Sequence, residues 1–262
     1  MNARSRRNAW RNALYPLAAI GLFFALWEAG VWLFKVPPFL LPPPSRVFAV
    51  MWENAPTLLK HARATVTIIV VGFGISTCIG IPIALAVSFV PAFRRIVYPI
   101  IVFSQVIPKI AIAPLFVIWF GFGFLPKVLI AVLVSFFAIV LQATVGFTSI
   151  RPEPLRVART MGAGPWVLFV KIRLPHALPN IFAGLKLAMA SSAIGAILGE
   201  FIASQEGLGY MVLVANGEMN TPLAFAGMLL LAMVGVLLYF VVEVVERMTT
   251  GWHIAQQGQV AA

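Results

Sequence analysis

Few side chains of this sequence could carry out catalysis or hold a metal. The 262 residues include eight acidic residues, three histidines and a single cysteine. His61, His176 and His253 are widely separated and form no metal-binding or catalytic pattern. Cys78 lies in an apolar run, and one cysteine cannot form an intramolecular disulfide. No Gly-Lys-Ser/Thr sequence is present to grip nucleotide phosphates. We therefore predict no catalytic residues, no metal and no cofactor in this chain.

Polar residues inside apolar runs are the next candidates for function. A polar side chain at membrane depth is costly unless it faces water, a partner or a pathway. Lys109 lies in an apolar run that Pro108 and Pro114 interrupt. It could snorkel or pair with a carboxylate of another span, or it could favour an anionic substrate. The predicted pathway residues are Ser104, Gln105, Lys109, Ser191 and Ser192.

The composition requires that these residues lie in a membrane protein. The chain is 61% hydrophobic and 10% charged, whereas soluble domains have about 45–50% apolar and about 25% charged residues. Six apolar segments are long enough to cross about 30 Å of hydrocarbon as helices. They are residues 14–34, 65–90, 98–120, 127–147, 178–203 and 221–242. The predicted fold class is all-α, with about six transmembrane helices.

The net charge of +11 fits this topology better than nucleic-acid binding. Many basic residues form short clusters beside the apolar runs, as they do in cytoplasmic loops of membrane proteins. A cytoplasmic N-terminus places most of them inside, so both termini are predicted to be cytoplasmic. The predicted parts are a cytoplasmic segment 1–13, a membrane domain 14–247 and a cytoplasmic tail 248–262.

The fifth predicted span, 178–203, is rich in glycine, alanine and serine. Small residues let membrane helices approach closely, which favours tight packing. A helix that slides during gating would show the same composition. The sequence leaves both interpretations open.

The loop 149–179 between the fourth and fifth spans is too long and too patterned to be a linker. Pro152 favours the start of a helix, and Gly162 favours its end, because glycine readily adopts the left-handed conformation. A second helix is predicted to begin near Pro165 and to stop at Pro175 and Pro179. Two short helices joined by a glycine turn would form a compact knob suited to docking on another protein.

The sequence Ala158-Arg-Thr-Met-Gly162-Ala, followed by Leu174-Pro175, resembles the EAA loop of ABC importer permeases. Residues 107–123 and 199–210 are similar to the nitrate, sulfonate and taurine type permeases of that family. The resemblance implies a type I ABC importer permease fold. Arg156 and Val157 depart from the pattern, because the family usually has Glu and Ala there.

The same resemblance implies a non-catalytic subunit of the bacterial inner (plasma) membrane. Separate cytoplasmic ATPases would bind ATP and Mg²⁺, a second permease copy would complete the pathway as a homodimer, and a periplasmic or lipid-tethered binding protein would deliver substrate. The expected substrate is a small polar solute, either nitrate-, sulfonate- or taurine-like or pyrimidine- or vitamin-like. The predicted ATPase-coupling residues are Arg156, Ala158, Arg159, Gly162, Ala163, Trp166, Phe169, Leu174 and Pro175.

Three acidic residues near the outer ends of the last spans are predicted to dock the binding protein. The alternative, that they are ordinary solvated charges at the membrane interface, is slightly favoured. They are Glu200, Glu206 and Glu218. An ion-gradient-driven secondary transporter is the alternative function. Such transporters more often have intramembrane carboxylates and an internal repeat. The spans contain no aspartate, and no convincing repeat is visible.

Overall fold

A computed structural model describes the backbone of residues 3–260 and the side chains of residue 15 and residues 18–250. The predicted cytoplasmic segment 1–13, the tail beyond residue 250 and His253 therefore lie outside the described side chains. The described chain is helical and contains no strand, which confirms the all-α fold class.

The helices follow one another with short connections. They are α1 (Ala3–Leu33), α2 (Pro44–Glu53), α3 (Ala55–Phe89), α4 (Pro91–Ser104), α5 (Lys109–Phe120), α6 (Phe124–Thr148), α7 (Pro152–Thr160), α8 (Pro165–Leu168), α9 (Leu174–Ala203), α10 (Leu208–Gly217) and α11 (Thr221–Val260). A π-helical turn, Phe169–Arg173, joins α8 to α9.

Four helical segments of the described chain are long and apolar enough to cross a membrane. They are Ala55–Phe89, Phe124–Thr148, Pro165–Ala203 and Thr221–Thr250, and they overlap the second, fourth, fifth and sixth predicted spans. The pair α4 and α5 would make a fifth. For the first predicted span, the described side chains cover the apolar stretch Ala18–Leu33 of α1.

The third predicted span, 98–120, is not one continuous helix. Helices α4 and α5 are bent by 96° at the break between them. Pro108 immediately precedes α5, where its missing N–H and its ring prevent an unbroken helix from running through. Pro114 lies inside α5 without breaking it. The break therefore occurs at the first of the two prolines.

The chain divides into two compact units, which we describe separately. The first comprises residues 3–59 and 211–230, and the second comprises residues 60–210 and 231–260.

In the first unit, the short helix α2 is held by both packing and capping. Val47 and Val50 are buried against Ala226 of α11. Glu28 of α1 accepts hydrogen bonds from the backbone N of Ser45 at 3.0 Å and from its Oγ at 2.8 Å. The first N–H groups of a helix have no partner within it, so this carboxylate satisfies one of them from another helix.

In the second unit, α6 and α9 pack antiparallel at very close range. A Cβ on Gly195 would lie 2.6 Å from the Cα of Ala131, and one on Gly184 would lie 2.8 Å from the Cβ of Gln142. Gly184 and Gly195 are 11 residues apart along α9. Their partners Gln142 and Ala131 are 11 residues apart along α6, in the opposite direction. The fifth span is therefore tightly packed against α6.

Substituting Gly195 by alanine should destabilise the protein, because its methyl group has no room against α6. We expect a loss of about 1–3 kcal/mol, typical of overpacking. Gly235→Ala is the matched control, since a Cβ there meets nothing within 4 Å and alanine favours the helix. Thermal unfolding in detergent measures both variants. Equal melting temperatures would contradict the close contact.

Candidate functional site

The loop between α6 and α9 contains the glycine turn that its sequence predicts. Gly162 has a φ of +81°, a conformation that favours glycine over residues with a side chain. The N–H of Ala163 donates to the carbonyl of Ala158, and the N–H of Gly162 donates to that of Arg159, both at 3.0 Å. This pair of bonds is the Schellman pattern that ends α7 and satisfies its last carbonyls.

The second helix of the loop does not stop before the fifth span, so that prediction is wrong. α8, the π-helical turn and α9 form one apolar helical segment, Pro165–Ala203. Pro175 lies in the first turn of α9 and Pro179 lies inside it. The carbonyl four residues before Pro175 belongs to the wider π turn, which reduces the clash with the proline ring.

We call residues 152–173 the knob. It consists of α7, the Gly162 turn and the first part of the long helix that continues as α9. Its surface is basic and apolar, with Trp166 exposed by 74% and Met161 by 81%. Among the described residues, no carboxylate lies within 4.0 Å of a basic group of the knob. The predicted coupling residues lie in or directly beside the knob, although Ala158, Ala163, Phe169, Leu174 and Pro175 are half-buried.

Aromatic contacts fix the base of the knob to the ends of two spans. The ring of Phe169 stacks on Phe147 of α6 with centroids 6.2 Å apart and meets Phe89 of α3 edge-on at 5.9 Å. The guanidinium of Arg173 lies over the ring of Phe89 at 4.7 Å. A displacement of the knob therefore acts on α3 and α6 by contact and on α9 through the continuous helix.

The structure places three of the predicted pathway residues at the bend between α4 and α5. Gln105 is exposed, and the Oγ of Ser104 donates to the carbonyl of Ile101 at 2.7 Å. Lys109 is half-buried, with its Nζ 5.2 Å from the centre of the Phe137 ring. No carboxylate of the described residues lies within 4.0 Å of Lys109, so the suggested ion pair is not formed.

The two serines predicted to line the pathway have different surroundings. Ser191 is half-buried. Ser192 is fully buried, and its Oγ donates to the carbonyl of Ile69 on α3 at 2.9 Å. Ser192 therefore joins two helices and is not placed to line a pathway, which corrects the prediction for this residue.

Glu200 was expected at an exposed docking surface, but it is fully buried near the end of α9. Its Oε1 accepts a hydrogen bond from the Oγ1 of Thr65 at 2.7 Å, and its Oε2 accepts one from the N–H of Gly209 at 2.6 Å. The Oγ1 of Thr65 in turn accepts the N–H of Leu208 at 2.8 Å. These side chains satisfy N–H groups at the start of α10, which no intrahelical bond can reach.

A histidine and a glycine complete this arrangement, which we call the α10 clamp (His61, Thr65, Glu200 and residues 207–209). The Nδ1 of His61 accepts the N–H of Gly207 at 3.0 Å. Gly207 has a φ of +110°, and a Cβ there would overlap the carboxyl group of Glu200. A glycine is therefore required here by both conformation and space. The sequence signal for the clamp was an isolated glutamate in an apolar run close to two glycines.

The other two acidic residues predicted for docking, Glu206 and Glu218, are exposed. Next to Glu206, Ser204 ends α9 and accepts a hydrogen bond from the Nζ of Lys127 at 3.0 Å. Lys127 is only 4% exposed. It anchors the turn between α9 and α10 to the start of α6.

An ion pair that the sequence analysis did not identify joins α9 to α11. The Nζ of Lys186 lies 2.7 Å from Oε2 of Glu246, and both side chains are largely buried. The lysine was overlooked among the small residues of the fifth span, and the predicted sixth span ended at residue 242, before the glutamate. A lysine within an apolar run was the available signal.

The overall fold matches that of a known membrane permease. A chain of the MetNI methionine ABC transporter, in a structure described as inward facing, superposes with a TM-score of 0.65 at 19% identity. The match covers 76% of this chain and 97% of that one. The type I ABC importer permease fold is therefore confirmed.

Residues 76–250 match the model of the family described as binding-protein-dependent transport system inner membrane component. The chain belongs to this family of ABC importer permeases, and it is a multi-pass integral membrane protein. It is 34% identical to the riboflavin transport system permease protein RibX of Chloroflexus aurantiacus, over 88% of this chain and 87% of the relative. It is 30% identical to the taurine transport system permease protein TauC of Escherichia coli, over 95% of each chain. Family membership replaces the alternative of an ion-gradient-driven transporter.

Glu200→Leu should destabilise the protein, because it leaves the N–H of Gly209 without its acceptor. The hydroxyl of Thr65 keeps only the carbonyl of His61, at 3.2 Å. A buried unpaired polar group costs about 1–3 kcal/mol, so we expect a loss in that range. Glu200→Gln keeps one carbonyl acceptor and should lose less. Thermal unfolding and protease cleavage at residues 204–207 measure the effect, with Glu206→Gln as an exposed control. A Glu200→Leu variant as stable and protease-resistant as the parent would exclude a clamping role.

Proposed function

We propose that the chain forms half of the pathway of an ABC importer and that a separate ATPase drives it through the knob. The knob is the observation that carries this proposal. It presents basic and apolar side chains that have no acidic partner within the described chain, and it is built into a membrane-spanning helix. Such a surface fits a groove on another protein.

Under this proposal the assembly contains two copies of this chain, two ATPases and one binding protein. The two copies pair as a homodimer about a symmetry axis on which the pathway lies. The termini and the knobs lie in the cytoplasm, where the ATPases bind ATP and Mg²⁺. The binding protein docks at the opposite face, near the exposed Glu206, which follows the far end of α9 from the knob.

The proposed mechanism is alternating access. Closure of the ATPases moves the knobs, and α9 transmits the movement because the helix is continuous from Pro165 to Ala203. Its far end carries Glu200, so the movement reaches the α10 clamp without a flexible linker. The close contact of α9 with α6 favours two discrete packed arrangements over gradual deformation.

Arg156 is the residue of the knob that departs most from the family pattern. It is exposed on α7, and a guanidinium can form a bidentate pair with a carboxylate. We propose that it contacts an acidic residue of the ATPase, where the family more often supplies a glutamate.

Arg156→Glu should weaken coupling, because it places like charges opposite each other at the proposed contact. We expect ATP hydrolysis stimulated by the loaded binding protein to fall about tenfold, which corresponds to about 1.4 kcal/mol. The assay uses the complex co-purified with its ATPase and reconstituted with its binding protein. Arg151→Glu, an exposed change in the same loop, is the control.

Gly162→Val provides a second, independent variant, because a β-branched residue is strained at the φ of +81°. It should reduce coupling without loss of the spans, as judged by yield and melting temperature. Unchanged assembly and unchanged coupled hydrolysis in the Arg156→Glu variant would argue against the ATPase contact.

The substrate class is a separate part of the proposal. The names of the two relatives refer to riboflavin and to taurine, two chemically different small polar molecules. We propose a solute of this general kind, selected mainly by the binding protein. Lys109, half-buried at the bend and without an acidic partner in the described chain, would favour an anionic group.

Lys109→Met should reduce uptake of an anionic substrate about tenfold, while Lys109→Arg, which keeps the charge, should retain most of it. Ligand screening of the binding protein first identifies the substrate, and ATP-dependent uptake into vesicles then compares the variants. A folded Lys109→Met protein that transports an anionic substrate like the parent would remove the electrostatic role.

A further inference from the structure

A cavity of about 630 Å³ lies between the knob and the end of α3, and nothing above assigns it a ligand. Two arginines, Arg159 and Arg173, line it from the knob. Most of the remaining lining is apolar or aromatic. It includes Leu85, Phe89, Trp166 and Phe169.

The two arginines have no acidic partner in the described part of the chain. No carboxylate there lies within 4.0 Å of either guanidinium. Arg173 is half-buried and is stacked on Phe89 with its Cζ 4.7 Å from the ring centre. A stacked guanidinium keeps its N–H edge available for a planar or tetrahedral anion. Two like charges that face one cavity repel each other, and a bound anion would remove this repulsion.

The apolar walls decide what kind of anion fits. A free inorganic anion would bind the arginines but would leave the aromatic side chains of the cavity exposed to water. Leu85 and Phe89 belong to α3, which is apolar and long enough to span a membrane. Trp166 is 74% exposed at the rim, and tryptophan is enriched at the level of lipid headgroups. The cavity therefore combines two guanidinium groups that have no acidic partner in the described chain with an apolar surface.

We propose that this cavity binds an anionic phospholipid. The phosphate lies between Arg159 and Arg173, and the glycerol and upper acyl chain pack against Phe89 and Trp166. Basic pockets beside spanning helices attract anionic headgroups in this way. The lipid would occupy the space between α3 and the knob and would hold the knob at a defined distance from the span. Binding itself needs no ATPase. Arg159, Trp166 and Phe169 are also predicted coupling residues, so the lipid lies beside the proposed ATPase contact.

Quenching of Trp166 by brominated lipid tests the proposal. The full-length protein is reconstituted in phosphatidylcholine vesicles, and either brominated phosphatidylglycerol or brominated phosphatidylcholine is titrated in. The part of the quenching that disappears in Trp166→Phe reports the cavity. We expect this part to saturate at a lower fraction of phosphatidylglycerol than of phosphatidylcholine.

Removal of the charges should shift the phosphatidylglycerol midpoint. One basic residue near a membrane surface corresponds to about a fivefold change in lipid affinity, so we expect about fivefold for Arg159→Gln and a larger shift for Arg159→Gln with Arg173→Gln. Arg159 is exposed, so its single variant is expected to fold. Arg151→Gln removes an exposed charge of the same loop outside the cavity and should leave the midpoint unchanged.

Three results would overturn the proposal. The first is equal Trp166 quenching by the two lipids. The second is a midpoint that Arg159→Gln and Arg151→Gln shift equally, which would indicate only general surface charge. The third is protection of Trp166 from phosphatidylglycerol by inorganic phosphate or by the assembled ATPase, which would assign the cavity to a soluble anion or to the protein interface.

Discussion

A backbone N–H or C=O in the hydrocarbon of a membrane needs a partner inside the protein, and the rest of this structure follows from that requirement. Continuous helices meet it along the spans. The ends of helices do not, and there the chain supplies specific acceptors and turns. At the start of α10, the α10 clamp supplies three side-chain acceptors. A buried carboxylate is expensive, and hydrogen bonds to both of its oxygens offset that cost.

Helix α9 connects the features that bear on function. Its N-terminal extension forms part of the knob, its middle packs against α6 through glycines, and its end carries Glu200. The Lys186–Glu246 pair attaches it to α11. Because the helix continues through the π turn, movement at the knob has a rigid route into the membrane. Because of this continuous helix, the knob is joined directly to a span, whereas a flexible loop would not be.

Much of the fold could be predicted from residues alone. The apolar segments identified the spans, and the glycine at position 162 identified a helix end with the correct turn. The resemblance of the loop to other permeases pointed to the family, which the comparisons confirmed. One error has a local cause. Local preference predicts helix ends at Pro175 and Pro179, whereas the π turn before them and the packing of α9 on α6 keep the helix intact.

Structural properties that depend on a short stretch of chain can therefore be predicted from the sequence. Hydrophobicity, proline breaks such as that at Pro108 and the left-handed turn at Gly162 depend on neighbouring residues. The surroundings of three polar residues could not be predicted, because their partners are distant in sequence. Glu200 binds Thr65, 135 residues away, and Ser192 binds Ile69, 123 residues away. Lys186 pairs with Glu246, 60 residues away. A polar residue in an apolar run has the same local pattern whether it faces a pathway or a neighbouring helix, and packing of distant helices determines which of the two it does.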